Sequence, residues 1–450
     1  MTASSSANPY LAITLQWIGG LGSASFYLPF LRVRKWSWET YWLVGGFFSW
    51  IVAPLLFALL LVPNLISIFH QVSGKALFWT YFFGVLWGLG SLTFGLTLRY
   101  LGIGLGMAIA LSYTAAFGTM IPPCFDGTIG ELVTHSWGLV TILGVIVCLA
   151  GIGLSGAAGW AKERELSEER RKAVVREFDF RKGVLVATFS GIMSACINFG
   201  FSGLKGFNAV HGHNPLTTVA AITLKLHGRL TVWDGLPALI IVLAGGFTTN
   251  FIWCLILHLK NHSGREYISG TIAREGDRGV AIAQPPGHSP PPDSPVESRF
   301  DQAVVTVKGP TGTVPLLNNY TFAALAGVIW YLQFFFYTAG QNFMPEALAF
   351  SGWTLHMASV IIFATLWGVV RHEWKGTSKK THAIIAGGIA ALVMATLIVG
   401  AGNLIKSHAA GHRPGHAPSI APVHVETGGE SSRRLYVRPP ALFGSTGGRQ

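Results

Sequence analysis

Two kinds of side chain in the apolar stretches of this sequence could do chemistry: groups that exchange protons, and polar groups set among aromatic rings. Glu39 opens one apolar run, His356 lies inside another, and Glu346 precedes the run that holds His356. Histidine titrates near neutral pH, and a carboxylate at the edge of an apolar region can also exchange protons. The alternatives stay open, because Glu39 equally suits a first helical turn, where the dipole favours an acid, and His356 a structural hydrogen bond.

A second candidate is a helix face that carries aromatic rings and one amide. Trp330, Gln333, Phe334 and Tyr337 follow the spacing i, i+3, i+4, i+7, which aligns them on one side of a helix. Such a face could bind a small polar ligand, since pockets combine apolar walls with a few placed polar groups. Packing or contact with lipid is the alternative, but a lone amide in lipid is costly, so Gln333 favours the pocket.

The composition indicates that membrane helices position these residues. Of 450 residues, 50% are hydrophobic and 12% charged, whereas a soluble protein carries about 25% charged residues. The Lys and Arg residues are scattered between apolar runs, which argues against nucleic-acid binding. The four cysteines contain no CxxC pair, so we expect small apolar residues rather than a disulfide or metal site.

Ten apolar runs reach the roughly 20 residues that a membrane-spanning helix needs. The sequence therefore predicts an all-α polytopic membrane protein with ten transmembrane helices, at 10–31, 41–62, 77–98, 101–122, 137–158, 183–204, 236–258, 320–341, 350–370 and 383–403. Most Lys and Arg residues lie in the loops after odd-numbered helices, the densest being 159–182. The positive-inside rule places those loops in the cytoplasm and both termini outside. The N-terminus has no positively charged region, so we expect no cleaved signal peptide.

Short internal matches indicate a repeat. GLGSAS in the first helix matches GIMSAC in the sixth, and GVLWGLG in the third matches GVIWYLQ in the eighth. Both pairs are five helices apart, and an odd repeat unit must insert its two copies in opposite orientations. The sequence thus predicts a five-plus-five inverted repeat, with halves at 10–158 and 183–403, an arrangement used for alternating access.

Two polar segments have the composition of disordered chain. Residues 261–317 and the tail 404–450 are rich in Pro, Gly and Ser and lack apolar periodicity. His408, His412 and His416 have a metal-compatible spacing, but neighbouring Gly and Pro residues oppose the helix that this spacing needs. We therefore predict no metal site, and nothing in the sequence indicates a cofactor.

Several long motifs resemble one transporter family. FYLPF is followed by RVRKWSWETYWLVGG, and further motifs come in the same order: WGLGSLTFGLTLRYLG, GTM-x-PP, LGVIVCLAGIG, KERE, WYLQFFFYTAG, SGWTLHM and HEW. Together they resemble the L-rhamnose–proton symporter family of bacteria, within the drug/metabolite transporter superfamily. The resemblance covers nearly all of 10–403, matches poorly over 205–235, and misses 261–317 and the tail.

The resemblance implies ten inner-membrane helices and uptake of a 6-deoxyhexose driven by a proton gradient. On that basis the substrate-binding candidates are Gln16, Tyr27, Trp87, Ser91, Trp330, Gln333, Tyr337 and Gln341, and the proton-coupling candidates are Glu39 and His356. Gln16 and Gln341 stand where the family pattern has His, and Ser91 and Thr93 where it has Asn. Such changes alter hydrogen bonding to sugar hydroxyls, so the identity of the sugar stays open.

The resemblance makes a proton-coupled permease for L-rhamnose or a similar sugar, working by alternating access, the leading of three functions. The second is a permease for another sugar or small metabolite. The third is a membrane sugar sensor that binds without transport. An enzyme is not expected, because the sequence contains no GxSxG, HExxH or Walker motif. The sequence does not distinguish proton from sodium coupling.

Overall fold

The computed structural model describes residues 8–101, 103–165, 180–210, 213–269, 314–344, 351–370 and 377–411. Across these ranges the chain is helical, and its only extended pairings are two isolated bridges, Lys205 with Ala209 and Val210 with His213. Glu346, His412 and His416 lie outside the described residues, as do most of the basic loop and of the two Pro-rich segments. The prediction of an all-helical fold is confirmed.

Fifteen α-helices follow one another in the described chain. They are α1 Pro9–Ser25, α2 Tyr27–Phe30, α3 Trp38–Phe47, α4 Ala53–Leu61, α5 Leu65–His70, α6 Gly74–Leu101, α7 Ile103–Asp126, α8 Ile129–Thr134, α9 Ser136–Glu165, α10 Phe180–Ser202, α11 Pro215–Leu226, α12 Leu236–Asn261, α13 Leu316–Gln341, α14 Ser351–Val370 and α15 Lys379–Gly411. A π-helical turn, Phe48–Val52, joins α3 to α4, and short 3-10 helices occur at Thr231–Trp233 and Ser263–Tyr267.

Eight helical segments of the described chain are long and apolar enough to cross a membrane. They correspond to eight of the ten runs predicted from the sequence, with α3, the π-turn and α4 forming one continuous span, Trp38–Leu61. The other two runs, 10–31 and 101–122, are also helical, as α1 with α2 and as α7, but they fall outside these eight. The structure therefore shows a multi-span membrane protein.

The break between α3 and α4 has a local cause in the sequence. Pro54 is the second residue of α4 and has no backbone N–H, so it cannot bond to the carbonyl of Trp50 four residues earlier. The chain widens into a π-turn over Phe48–Val52 at that point, as helices often do at functional positions. The turn fixes the direction in which Trp50 leaves the helix.

The helices pack as a bundle around α6 and α13. α6 contacts α10 and α12, and α13 contacts α1 and α3. α7 contacts α9, α10 and α14. α14 also contacts α1 and α15, and α9 contacts α15. Close packing depends on small residues, because apolar side chains gain nothing by leaving lipid for another helix. At Gly84, a Cβ atom would meet the backbone oxygen of Val242, and at Gly327 it would meet the backbone oxygen of Gly45.

Candidate functional site

The aromatic and amide face of α13 points into the bundle. Gln333, Phe334 and Tyr337 are buried, with 4%, 4% and 0% of their surfaces exposed, and Trp330 is half-buried. A helix face in contact with lipid would be exposed, so contact with lipid does not hold, whereas packing alone is compatible with this burial. The backbone of Gln333 lies against α1, because a Cβ at Gly19 or Gly22 would meet it.

Three tryptophan rings meet where α13, α6 and the π-turn come together. The ring centroids of Trp50 and Trp87 are 5.8 Å apart, those of Trp50 and Trp330 are 5.8 Å apart, and those of Trp87 and Trp330 are 5.6 Å apart. A small pocket beside Trp50 and Trp330 is also lined by Trp42, Ser49 and Gly327. Glycines make room for two of the rings: a Cβ at Gly246 would collide with Trp87, and one at Gly46 with Trp50.

A polar group adjoins this aromatic cluster near the end of α13. The Tyr337 hydroxyl donates to Asn198 Oδ1 at 3.0 Å and accepts from Gln341 Nε2 at 2.6 Å. Gln16 Nε2 donates to the Tyr337 carbonyl at 3.4 Å, while Asn198 Nδ2 donates to the Gly118 carbonyl at 2.9 Å. Tyr337 thus connects α1, α10 and α13 through hydrogen bonds.

His356 lies within the same buried region. Its ring is 0% exposed and is 5.2 Å from the Tyr337 ring, 6.0 Å from Trp353 and 6.0 Å from Phe334. Phe334 in turn is 5.2 Å from Trp330, so the tryptophan cluster and His356 form one continuous centre. We name the group of Trp50, Trp87, Trp330, Gln16, Gln333, Tyr337 and His356 the central site.

The central site contains buried polar atoms without a partner among the described residues. They are Gln16 Oε1 and Gln333 Nε2. Native proteins rarely leave such atoms unpaired, because each costs about 1–3 kcal/mol when buried and unsatisfied. The arrangement can therefore accept a ligand that brings several hydrogen-bonding groups and an apolar face.

Two of the binding candidates lie apart from the centre. Ser91 donates to the Gly88 carbonyl of its own helix at 2.9 Å, and its hydroxyl is 3.5 Å from Asn250 Nδ2. Tyr27 belongs to a separate aromatic cluster, with its ring 5.7 Å from Phe30. The structure thus brings together Gln16, Trp87, Trp330, Gln333, Tyr337 and Gln341. Ser91 and Tyr27 adjoin this group only through other side chains: Asn250 also bonds to Trp42 Nε1, and Phe30 lines the pocket beside Trp50.

The two proton-coupling candidates occupy different sites. Glu39, only 3% exposed, accepts hydrogen bonds from Ser263 Oγ at 2.6 Å and from Asn261 Nδ2 at 3.0 Å. Asn261 is the last residue of α12 and Ser263 follows it, whereas the ring neighbours of His356 lie on α13 and α14. Glu39 does lie in the first turn of α3, but its carboxylate accepts side-chain hydrogen bonds and does not face solvent.

Sequence reasoning missed Trp50 of the central site and Asn198, which accepts a hydrogen bond from its Tyr337. Trp50 and Asn198 contribute a ring and an amide, yet neither stands in a face of regular helical spacing with the others. Trp50 leaves from a π-turn, and its position could have been suspected only from Pro54 four residues later. Asn198 is a buried amide in an apolar run, which is the same signal that marked Gln333 and could have been applied to it.

The comparisons with known proteins agree on one family. The chain matches the family model described as L-rhamnose-proton symport protein (RhaT) over residues 6–270 and 305–405. It is 31% identical over 394 residues to the L-rhamnose-proton symporter of Yersinia pestis (strain Pestoides F), covering 87% of this chain and 97% of that protein. It is 31% identical over 385 residues to the L-rhamnose-proton symporter of Salmonella paratyphi B (strain ATCC BAA-1250 / SPB7), covering 86% and 95%.

The matched ranges are wider than the sequence motifs indicated. They include 205–235 and both ends of the predicted insertion, so only 271–304 interrupts the match before residue 405. The structure agrees at the first boundary, because the described chain continues beyond α12 through the 3-10 helix Ser263–Tyr267.

Proposed function

The chain belongs to the L-rhamnose-proton symport protein (RhaT) family, and we propose that it carries L-rhamnose or a related 6-deoxyhexose into a bacterial cell together with protons. Membership of this family makes it a membrane transporter and not an enzyme. The observation that supports this proposal is the central site, where aromatic rings adjoin buried polar atoms that lack partners among the described residues.

A 6-deoxyhexose fits that combination chemically. Its methyl group and C–H surfaces suit the rings of Trp50, Trp87 and Trp330, because sugars pack their apolar faces on aromatic side chains. Its hydroxyls can donate to Gln16 Oε1 and accept from Gln333 Nε2. Gln341 and Tyr337 border the same space and would form hydrogen bonds with the remaining hydroxyls. Tyr27 and Ser91 would contact the sugar further along its path.

For the architecture we propose ten transmembrane helices in a five-plus-five inverted repeat. The repeat pairs α1 with α10, α3–α4 with α12, α6 with α13, α7 with α14, and α9 with α15. Replacing each helix by its counterpart converts one set of helix contacts into another. The α6–α10 contact becomes α13–α1, α6–α12 becomes α13–α3, and α7–α10 becomes α14–α1; the α9–α15 and α7–α14 contacts map onto themselves. Chance packing gives no reason for such a correspondence.

Two glycine crossings, points at which a glycine lets two helix backbones come into contact, further support the repeat. Gly84 of α6 abuts the backbone of α12, and Gly327, its counterpart in the sequence match, abuts the backbone of α3. The partners also match, because WLVGGFFSW of residues 42–50 and VLAGGFTTN of residues 242–250 carry paired glycines at equal positions. Alternating access then follows from rocking one half against the other around a site near the midplane.

The orientation remains a proposal from charge. The basic loop 159–182 lies in the cytoplasm and both termini lie outside, as the positive-inside rule requires. With that orientation, Glu39 lies at the cytoplasmic end of the bundle and His356 lies inside it. Either could release the coupled proton, and the sodium alternative is tested in the same experiment.

Purified protein in liposomes would test this function. We expect an imposed inward proton gradient to drive accumulation of labelled L-rhamnose, with alkalinisation of the external medium and no dependence on sodium. Accumulation of another sugar in place of rhamnose would favour the second permease function, for which the changes at Gln16 and Gln341 give a reason. Binding of rhamnose without accumulation would favour the sensor and contradict the proposal.

A further inference from the structure

A hydrogen-bonded chain of four side chains runs from the buried Glu39 toward the end of the bundle at which the loop of residues 32–37 lies. Ser263 Oγ donates to Glu39 Oε1 at 2.6 Å, His258 Nδ1 lies 2.8 Å from Ser263 Oγ, and His258 Nε2 lies 2.8 Å from the Tyr267 hydroxyl. Glu39, Ser263 and His258 are buried, and Tyr267 is half-exposed. We name this group the Glu39 chain.

The donors and acceptors fix the direction of the Glu39 chain. An ionised carboxylate can only accept, and the single hydroxyl proton of Ser263 is used toward it. His258 must therefore donate to Ser263 from Nδ1–H, which leaves Nε2 as an acceptor in the neutral ring. The Tyr267 hydroxyl must then donate to Nε2, so all three hydrogen bonds point toward Glu39.

From this geometry we propose that Ser263, His258 and Tyr267 are a proton relay through which Glu39 discharges its proton at the cytoplasmic end of the transporter. The inference deepens the proposed function and rests on it, because it assigns the coupled proton of that transport cycle to Glu39. Ser263, His258 and Tyr267 are not among the coupling candidates that the sequence indicated, and two of them lie in the stretch that its composition assigned to disorder.

The transfer conserves protons and needs no further reactant. When Glu39 is protonated, the chain has the reversed direction, with Glu39 donating to Ser263, Ser263 to Nδ1, and Nε2–H to the Tyr267 oxygen. Discharge moves the Glu39 proton to Ser263, the Ser263 proton to Nδ1, and the Nε2 proton to Tyr267, whose own proton passes to water. The product is ionised Glu39, with the hydrogen-bond direction deduced above for the ionised carboxylate.

The surroundings of Glu39 suit a group that changes charge. Its hydrogen-bond donors, Ser263 and Asn261, are neutral. The titratable groups facing it are Cys254 and His258 of α12 and Glu266 and Tyr267 of the 3-10 helix, while Arg32, Arg34 and Lys35 of the preceding loop are exposed. Burial raises the pKa of Tyr267, so this residue passes protons as a neutral hydroxyl rather than by ionising.

Glu266 has a different task beside the same chain. Its Oε2 accepts from the Ser37 backbone N–H at 2.6 Å and from Thr40 Oγ1 at 2.8 Å, and its carbonyl accepts from Trp36 Nε1 at 3.1 Å. These bonds tie the start of α3 to the 3-10 helix that carries Ser263 and Tyr267. Glu266 is thus a positioning residue that holds the relay against Glu39.

The relay can be tested without sugar by following the charge of Glu39 itself. Time-resolved infrared spectroscopy after a pH jump detects the carboxyl band of Glu39, which is identified by its loss in Glu39→Gln. We expect Ser263→Ala and Tyr267→Phe to slow the appearance and loss of this band by about 100-fold, the lower range for a positioned proton-transfer group. Ser263→Thr keeps a hydroxyl and should restore the rate.

Ser378→Ala is a matched control. Ser378 Oγ donates to the Glu165 carboxylate at 2.6 Å, the same chemistry and length as the Ser263 bond, but outside the Glu39 chain. In Ser378→Ala, the infrared band of Glu39 should appear and disappear at the wild-type rate. An unchanged rate in Ser263→Ala, or a slowed rate that Ser263→Thr does not restore, would overturn the relay.

Transport separates this result from the proposed function. If wild-type liposomes fail to accumulate rhamnose, the proposed function fails whatever the infrared result shows. If they do accumulate it, Ser263→Ala should lose proton-driven accumulation in proportion to the infrared rate while rhamnose exchange at equal pH persists. Accumulation at the wild-type level in Ser263→Ala would contradict the relay alone.

Discussion

At the scale of single residues, the central site depends on side chains that face one another from different parts of the chain. Trp330 is 5.8 Å from Trp50 and 5.6 Å from Trp87, and it touches Phe334 at 5.2 Å, so it connects the aromatic and polar parts of the site. The spacing of Trp330, Gln333 and Tyr337 predicted their common face. It could not predict Trp50, because the facing residue comes from a distant helix.

Replacing Trp330 by alanine tests the aromatic wall. We expect the KM for the transported sugar to rise by roughly fivefold, since an aromatic contact contributes about 1 kcal/mol beyond its buried area, with little change in the maximal rate. Uptake measured over a range of sugar concentrations checks this. Trp160→Ala is the control, because Trp160 is 43% exposed on α9 and packs under Arg164; an equal rise in KM there would contradict the assignment.

At the scale of elements, the broken span of α3 and α4 places Trp50 in the site. Each residue of an α-helix is rotated about 100° from the one before it. A regular α-helix over Trp38–Leu61, without the π-turn, would therefore point the Trp50 side chain in another direction. The cause of the break is the missing N–H of Pro54, which the sequence shows. The conformation that the chain adopts in response, a π-turn and not a kink, depends on how α3 and α4 pack on α12 and α13.

Pro54→Ala should separate stability from transport. The added N–H can bond to the Trp50 carbonyl, so we expect the melting temperature in detergent to stay equal or rise. Transport should fall, because a regular helix moves Trp50 away from Trp87 and Trp330. Thermal unfolding and initial uptake rates measure the two effects, and wild-type uptake by Pro54→Ala would show that the π-turn is unimportant for the site.

A second element-level feature joins α9 to α15. Glu165, at the end of α9, accepts hydrogen bonds of 2.6 Å from Ser378 N–H, Ser378 Oγ and Thr381 Oγ1 at the start of α15. The hydrogen bonds from Ser378 and Thr381 hold the pKa of Glu165 below its ordinary value. Within the first turn of α15, the Thr381 N–H donates to Ser378 Oγ at 3.2 Å, so Ser378 caps this helix while it bonds to Glu165.

The sign of this shift sets a pH dependence. A carboxyl with a lowered pKa in the folded protein stabilises the fold above its unfolded pKa and loses that effect as pH falls through the folded value. Glu165→Gln should therefore lower the melting temperature near neutral pH, and the difference from wild type should vanish at acidic pH. Thermal unfolding from neutral to acidic pH measures it, and a difference that persists in acid would contradict the role of charge.

At the scale of the whole molecule, α6 approaches α12 and α13 approaches α3 through glycines. A Cβ at Gly84 or Gly327 would meet the backbone oxygen of Val242 or Gly45, and a backbone atom cannot move aside as a side chain can. These two crossings occupy corresponding places in the proposed repeat. The sequence match of Gly84 with Gly327 indicated the correspondence, but not that each is a point of backbone contact.

Alanine at either crossing should destabilise the protein similarly. Overpacking of this kind costs about 1–3 kcal/mol, so we expect Gly84→Ala and Gly327→Ala to lower the melting temperature in detergent by comparable amounts. Gly153→Ala is the control, since nothing lies within 4 Å of its added Cβ, and it should stabilise α9 slightly. Tolerance at one crossing and not the other would argue against equivalent halves.

The orientation of the molecule can be measured with a cysteine that the chain already contains. Cys124 is exposed near the end of α7, whereas Cys148, Cys196 and Cys254 are buried. With the basic loops inside, Cys124 faces the outside, and a membrane-impermeant maleimide should label intact spheroplasts through it. Cys124→Ser should abolish the labelling, and labelling only after permeabilisation would reverse the proposed orientation.

The sequence by itself determined the helical class, the apolar runs, and the face of α13 that carries Trp330, Gln333 and Tyr337. These features depend on local composition and on the 3.6-residue period, which neighbouring residues settle among themselves. Only the tertiary structure decided that Trp50 joins Trp87 and Trp330, and that Glu39 meets Ser263 rather than solvent. Those contacts join residues far apart in the chain, and they form only when the packing of several helices fixes the direction of each side chain.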